Sequence, residues 1–358
     1  MTKNKRPRIL FVVGPGEFNV QAGGEVQLIK TMEYLKQLGI TVDIFSPYLT
    51  DISNYDIMHI FGPSAFPMWS YQLAQKAKRH NLKVVVSSIF WLTSYNNKML
   101  LYLVKKGFLS KALFGFSALI PLSGLTYLKR LFDECDAILP NTTEEKEMIL
   151  KFFGLNPKTR QFFVIPNGVD KAFKDGSKTL FYKKYGVKDF ILFVGRIEQR
   201  KNVLQLIREF EKADLNTNLV LIGSRPNLEY YLECKKVASK KVIFLDPFPH
   251  NSNLLKSAYK CCDTLVLPSN VETPGLVALE AGIAGAKIAI TEIGGTKEYF
   301  GDNAIYINPF RPTSIRDALI KSKKLEKSDA LKKRIIKNFT WEKVAKKTLE
   351  AYIKILKK

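Results

Sequence analysis

Short apolar runs rich in Val, Ile, Leu and Phe alternate along the whole chain with stretches of helical period. Such runs suit strands buried on both faces of a parallel sheet, and the amphipathic stretches between them suit covering helices, so the pattern predicts a doubly wound α/β fold. The predicted strands of the first half are residues 9–13, 41–45, 56–60, 83–88, 137–140 and 162–165. Those of the second half are 190–194, 218–222, 242–245, 264–267, 288–290 and 304–307. A helix is expected after Gly23-Gly24, with Val26, Leu28, Ile29, Met32, Leu35 and Leu38 on one face and Gly39 as its stop signal. The final helix is expected over Trp341 to Leu356, with Val344, Leu349, Tyr352, Ile355 and Leu356 as its apolar stripe.

The rhythm restarts after Pro166-Asn167-Gly168-Val169, a turn-forming cluster followed by the polar stretch 171–188. A chain of 358 residues exceeds what one core usually serves. The expected organisation is therefore a Rossmann-like domain over 1–168, a second over 169–340 facing it across a cleft, and a C-terminal helix over 341–358 that packs back on the first domain.

With 46% hydrophobic and 25% charged residues the composition is that of a globular protein, not a disordered one. Cys135, Cys234, Cys261 and Cys262 lack the spacing of a zinc knuckle or a redox CxxC pair and read as reduced thiols of a cytoplasmic protein. The first apolar run is too short for a signal-peptide core and reads as a first strand behind a basic leader.

Charge changes the picture more. The formal net charge is +23, and residues 311–358 alone carry 16 Lys/Arg against 5 Asp/Glu. Such a surplus draws phosphates, whether of nucleotides, anionic lipids or nucleic acid, and it also describes solvated helix faces. Nucleic acid is the weakest partner, because the bases lack the aromatic interleaving of a stacking platform and match no docking motif. Residues 112–128 form 17 uncharged residues flanked by Lys111 and Lys129. That falls short of a bilayer span and contains Gly115, Pro121 and Gly124, so it leaves two readings: a helix tip dipping into an anionic membrane face, or buried packing and the wall of an acceptor groove.

Ligands of doubly wound sheets bind beyond the carboxyl ends of the strands, so the loops there are the candidates. After the first strand, Gly14-Pro15-Gly16-Glu17-Phe18-Asn19 has two glycines of a dinucleotide fingerprint but not the third, which argues against a nicotinamide cofactor. Gly23-Gly24 opens a helix, where backbone N–H groups can meet a phosphate or sugar, or the pair serves a turn only. Gly195-Arg196-Ile197-Glu198-Gln199-Arg200-Lys201-Asn202 offers a glycine for close approach and two cations within reach of a diphosphate, or else a solvated basic loop. Residues 268–281 set Glu272 in a loop and Glu280 about two turns into a helix that starts near Pro274-Gly275. Two carboxylates so spaced can accept hydrogen bonds from sugar and ribose hydroxyls, or they are surface acids beside an ordinary helix start.

The ordered set Pro166-Asn167-Gly168-Val169, Gly195-Arg196 with Lys201-Asn202, Glu272 and Glu280 as Glu-x7-Glu, and Gly294-Gly295 resembles the retaining glycosyltransferases of family 4, which have the GT-B fold. The resemblance implies that Arg196 and Lys201 bind the diphosphate of a nucleotide-sugar donor, Glu280 its ribose and Glu272 the transferred sugar. Gly195 belongs to the same site, Gly275 and Leu276 supply backbone contacts with Val277 beside them, and Gly23 and Gly24 approach the donor from the first domain. It further implies no cofactor and no metal, retention at the anomeric carbon by front-face attack, and stabilisation of the leaving group by the two cations. A uridine diphosphate sugar is the expected donor, a glycan or lipid-linked hydroxyl the expected acceptor, and the inner face of the cytoplasmic membrane the expected place of work.

The chain departs from the family at Ser87-Ser88-Ile89-Phe90-Trp91, where Ile89 aligns with a histidine that many relatives direct at the donor sugar. His59 at a strand end, His80 in a polar helix and His250 in a turn receive no catalytic role. The rival expectations are a non-catalytic nucleotide-sugar-binding relative and a sugar-nucleotide epimerase of the same fold.

Overall fold

The computed structural model describes residues 6–14, 23–91 and 122–357. The chain divides into two units, residues 1–167 together with 341–358, and residues 168–340. Each described unit holds one six-stranded, wholly parallel sheet.

In the first unit the strands are β1 (Arg8–Val12), β2 (Thr41–Ile44), β3 (Ile57–Phe61), β4 (Lys83–Ser87), β5 (Ala137–Ile138) and β6 (Gln161–Phe162), in the order β2-β1-β3-β4-β5-β6. This is the flavodoxin-like variant of double winding, whose order reverses between the first and third strands. Every residue of β3 is buried, as expected of a strand covered by helices on both faces. The second unit has β7 (Ile191–Val194), β8 (Leu219–Ile222), β9 (Val242–Leu245), β10 (Thr264–Leu267), β11 (Lys287–Thr291) and β12 (Ile305–Ile307). Their order, β12-β11-β10-β7-β8-β9, is the Rossmann order counted within the unit, and it reverses between β7 and β10. The two halves are thus doubly wound but not copies of one topology.

The helix Gly23–Gln37 ends where Gly39 takes a left-handed φ of 77°. The final helix, Trp341–Leu356, buries Trp341, Val344, Ala345, Thr348, Ala351, Tyr352 and Ile355. Leu349 and Leu356 of the expected stripe are only half-buried. Ala345, Thr348 and Ala351 are buried in their place, on a helix that packs against the Gly23–Gln37 helix.

Tyr352 also corrects the reading of His59, which lies in the middle of β3 and not at its end. Its Nδ1 is 2.6 Å from the Tyr352 hydroxyl and its Nε2 is 2.9 Å from Ser87 Oγ. Burial pushes the imidazole down to about 3, so His59 is a neutral core residue.

All four cysteines are free and buried, and burial pushes the thiols of Cys135, Cys234 and Cys262 up to about 12, which makes them inert. Most of the 112–128 stretch lies outside the described residues; its end starts the helix Leu122–Glu134, where Leu128 is buried. Among the described residues no helix is long and apolar enough to cross a membrane.

Candidate active site

The reversal between β7 and β10 opens the second sheet at its carboxyl edge, and the loops that follow these two strands carry the candidate residues. The loop after β7 begins at Gly195, with a φ of 150° and its N–H bonded to Ile222 O at 3.0 Å. The adjoining loop after β8 passes so near that a Cβ on Gly223 would stand 1.7 Å from Gly195 O. Gly223 is thus a required glycine of the site that motif reading missed, because the contact that demands it comes from another strand.

The loop then forms a single 3-10 turn over Gln199–Lys201, closed by Asn202 at a left-handed φ of 58°. Asn202 Nδ2 donates to Pro309 O at 3.2 Å, which ties the loop to the segment after β12. Arg196 and Arg200 both contact Glu198 Oε1, at 3.3 and 3.2 Å, and both remain partly exposed. Sharing one carboxylate, the two guanidiniums leave local positive charge uncompensated.

The loop after β10 is fastened on both sides. Asn270 N donates to Arg200 O at 3.0 Å, Glu272 N to Ile293 O at 3.2 Å, and Gly295 N to Glu272 O at 3.1 Å. Gly294 makes this possible: its φ is 100°, and a Cβ there would lie 2.2 Å from Glu272 O. The loop presents Glu272 to Lys201, whose Nζ is 2.5 Å from Glu272 Oε1. Burial alone would raise the Glu272 carboxyl, but the charge and hydrogen bond of Lys201, with lesser help from Ser269 and Arg200, more than reverse this and hold it below its ordinary value.

Gly275 caps the helix Leu276–Ala284 at a left-handed φ of 78°, and a Cβ there would come within 3.5 Å of Glu272 Oε2. The amides of Leu276 and Val277 head this helix, where the dipole favours an anion. Glu280 is the fifth residue of this helix, roughly 6 Å along the axis from Leu276 at the usual rise per residue, so it stands little more than one turn in and not the expected two. Its carboxylate is buried and does not join the Lys201 cluster in any described contact. Oε1 is 2.7 Å from His250 Nε2, and Oε2 accepts from the Tyr259 hydroxyl at 2.7 Å. Burial, followed by the charge of Glu280, raises the Tyr259 hydroxyl well above its ordinary value, so it stays a donor.

The second unit therefore holds two clusters on either side of one helix start: cations with Glu272, and Glu280 with His250 and Tyr259. His250 escaped sequence reading because nothing periodic marks a histidine in a turn. Gly23 and Gly24 head the Gly23–Gln37 helix of the first unit. A Cβ on Gly24 would be 4.0 Å from Ile89 Cδ1. Ile89 has a φ of 43°, an outlier for a β-branched residue. Its turn is pinned by the buried Glu145, which accepts from Ser88 Oγ, from Phe90 N at 2.8 Å and from Asn141 N at 2.7 Å.

The sequence profile of the family Glycosyl transferases group 1 matches residues 180–340, a stretch containing every candidate residue of this unit. That stretch belongs to this family. An uncharacterised glycosyltransferase of Methanocaldococcus jannaschii is 32% identical over 243 residues, 64% of this chain and 59% of its own length. A D-inositol 3-phosphate glycosyltransferase of Geodermatophilus obscurus is 28% identical over 242 residues, 61% of this chain and 52% of its own. The matches thus span between half and three fifths of these relatives.

Among solved structures, sucrose-phosphate synthase from Thermosynechococcus elongatus superposes with a TM-score of 0.75 at 16% identity, over 98% of this chain and 99% of its own. Anabaena HepE in complex with UDP and glucose does so with a TM-score of 0.72 at 14% identity, over 98% and 100%. At such identities the likeness is one of fold, and the fold is GT-B. The group 1 stretch begins at the helix Leu180–Tyr185 ahead of β7 and ends just past the helix Ala330–Asn338.

Proposed function

We propose that the protein is a retaining glycosyltransferase of the family 4 type, which moves a sugar from a nucleoside-diphosphate sugar, UDP-linked by preference, to a hydroxyl of a glycan or lipid-linked acceptor. The observation that carries this reading is the Lys201–Glu272 pair at the topological switch point, beside Arg196 and Arg200. In this reading Arg196 and Lys201 receive the diphosphate, and the amides of Leu276 and Val277 with Gly195 and Gly275 allow its close approach. Glu272 accepts from the sugar and Glu280 from the ribose. HepE, of the same fold, is solved in complex with UDP and glucose, which favours a UDP-sugar over other donors.

The chemistry asked of these residues is electrostatic. The bond from the anomeric carbon to the phosphate oxygen breaks, the bond to the acceptor oxygen forms on the same face, and the acceptor proton passes to the leaving phosphate. Negative charge grows on that phosphate, and cations fixed beside it stabilise it, so Arg196 and Lys201 stand where other transferases use a metal. The basic surplus of the chain suits work at an anionic membrane face, on a glycan or glycolipid of the cell envelope.

The test is a thermal-shift screen over nucleotide sugars, followed by an assay for released UDP. A UDP-sugar should raise the unfolding midpoint by mass action and release UDP on turnover, and Lys201→Ala should lose both. If no nucleotide sugar moves the midpoint, the reading fails. Ile89 favours a second reading, because its aliphatic side chain offers a donor sugar no hydrogen bond: a relative that binds the nucleotide sugar without transferring it. Single-turnover measurement with labelled donor separates the two.

A further inference from the structure

His250 sits in the turn between β9 and the helix Asn253–Cys261, which also carries Tyr259. Ser252 caps that helix by accepting from Leu255 N at 3.2 Å, so the turn leads directly into the helix and the two deliver both side chains to Glu280. Phe173, fully buried, meets His250 edge-on at 5.5 Å between ring centres and Tyr259 at 5.7 Å. The imidazole is therefore set by packing as well as by its hydrogen bond.

The division of labour around Glu280 is informative. Tyr259 reaches Oε2 from the core, where it is fully buried, whereas the side chain of His250 reaches Oε1 and is 28% exposed. Facing an ionised carboxylate oxygen at 2.7 Å, the tautomer that fits carries its proton on Nε2, and His250 then acts as a donor there. An ionised carboxylate has about four acceptor positions, and these two donors use one on each oxygen. The positions left over keep a defined direction only while both donors are in place. With His250 removed, the carboxyl group can turn about its last torsion, a broad and soft one.

We propose that His250 is a positioning residue of the nucleoside site: paired with Tyr259 it orients the Glu280 carboxylate to accept hydrogen bonds from the vicinal hydroxyls of a ribose. This rests on the reading of Glu280 as the ribose acceptor. It assigns His250 a role in choosing ribonucleotides over deoxynucleotides, without contact with the reacting atoms.

The experiment compares two probes, UDP and 2′,3′-dideoxy-UDP, by calorimetry on the full chain and its variants. The wild type should prefer UDP by about tenfold or more, the loss expected when a buried acceptor finds no hydroxyl. His250→Ala should cut that ratio to about twofold while dideoxy-UDP affinity stays within about twofold, and His250→Gln, which keeps a donor, should restore most of the preference. A merely structural role would weaken both probes together and leave the ratio unchanged, which would overturn the proposal, as would a full ratio in His250→Ala. Glu280→Ala separates the premises. If it abolishes the preference and His250→Ala does not, only the role of His250 is wrong. If Glu280→Ala keeps the preference, the ribose reading falls and the proposal with it.

Discussion

Lys201 Nζ and Glu272 Oε1 lie 2.5 Å apart although 71 residues separate them in sequence, and both side chains are largely withdrawn from water. The cation proposed for the diphosphate and the acid proposed for the sugar thus form one electrostatic unit. Removing one partner strands the other charge in a poorly solvated place. Lys201→Met or Glu272→Gln alone should each destabilise the protein by about 3–5 kcal/mol, and the double variant should recover much of that loss. Chemical denaturation of the four proteins closes the cycle; simple additivity would refute a coupled pair.

The same pair sets a pH dependence. The folded carboxyl of Glu272 titrates below its reference of 4.5, so the unfolded chain binds the proton more readily. The stabilisation is present above that reference and disappears as pH falls through the lower folded value. In Lys201→Met burial acts without its counterweight, and the Glu272 titration should move to the high side of the reference. Carboxyl NMR of the two proteins reads this directly.

His59 supplies a second acid-sensitive contribution, in the first unit. The folded imidazole titrates near 3 against 6.5 for an ordinary histidine. Stability is complete above 6.5 and falls as pH drops towards 3, by about 1.4 kcal/mol for each pH unit in that window. His59→Gln should flatten this part of the stability profile. An unchanged slope in urea unfolding between these values would show that the imidazole is not held neutral.

Arg196 should behave in the opposite way to Lys201. Its guanidinium is partly exposed and shares Glu198 with Arg200, so Arg196→Ala should change stability by no more than about 0.5 kcal/mol. Affinity for UDP should nevertheless fall by about tenfold if Arg196 receives the diphosphate as proposed, since a charge-assisted bond to phosphate would be lost. Calorimetry and thermal unfolding on the same sample distinguish binding from folding.

Gly223 tests the loop geometry. A Cβ there would stand 1.7 Å from Gly195 O, so Gly223→Ala must push the loop after β7 outward. The expected cost is about 1–3 kcal/mol together with loss of the nucleotide-induced thermal shift. Gly186→Ala is the control: it strains a left-handed helix cap at a φ of 72° but meets nothing within 4 Å, and should leave nucleotide binding intact.

Periodicity and turn chemistry were enough to mark the twelve described strands and the final helix over Trp341–Leu356, because each depends on neighbours within a few residues; β6 was marked only in part, since the expected 162–165 shares one residue with Gln161–Phe162. The ordered motifs around Arg196, Lys201, Glu272 and Glu280 were legible for the same reason, since each occupies one loop or one helix start. Strand order was not legible: the flavodoxin-like reversal of one sheet and the Rossmann reversal of the other arise from crossovers that no local pattern encodes. Nor was the partner of each charged group, because Lys201 meets Glu272, His250 meets Glu280 and His59 meets Tyr352 only after separations of 71, 30 and 293 residues have been folded away. The sequence by itself determined which residues could do chemistry. Only the tertiary structure decided which were buried together, and burial sets both the charge a group can hold and the direction in which it can donate or accept.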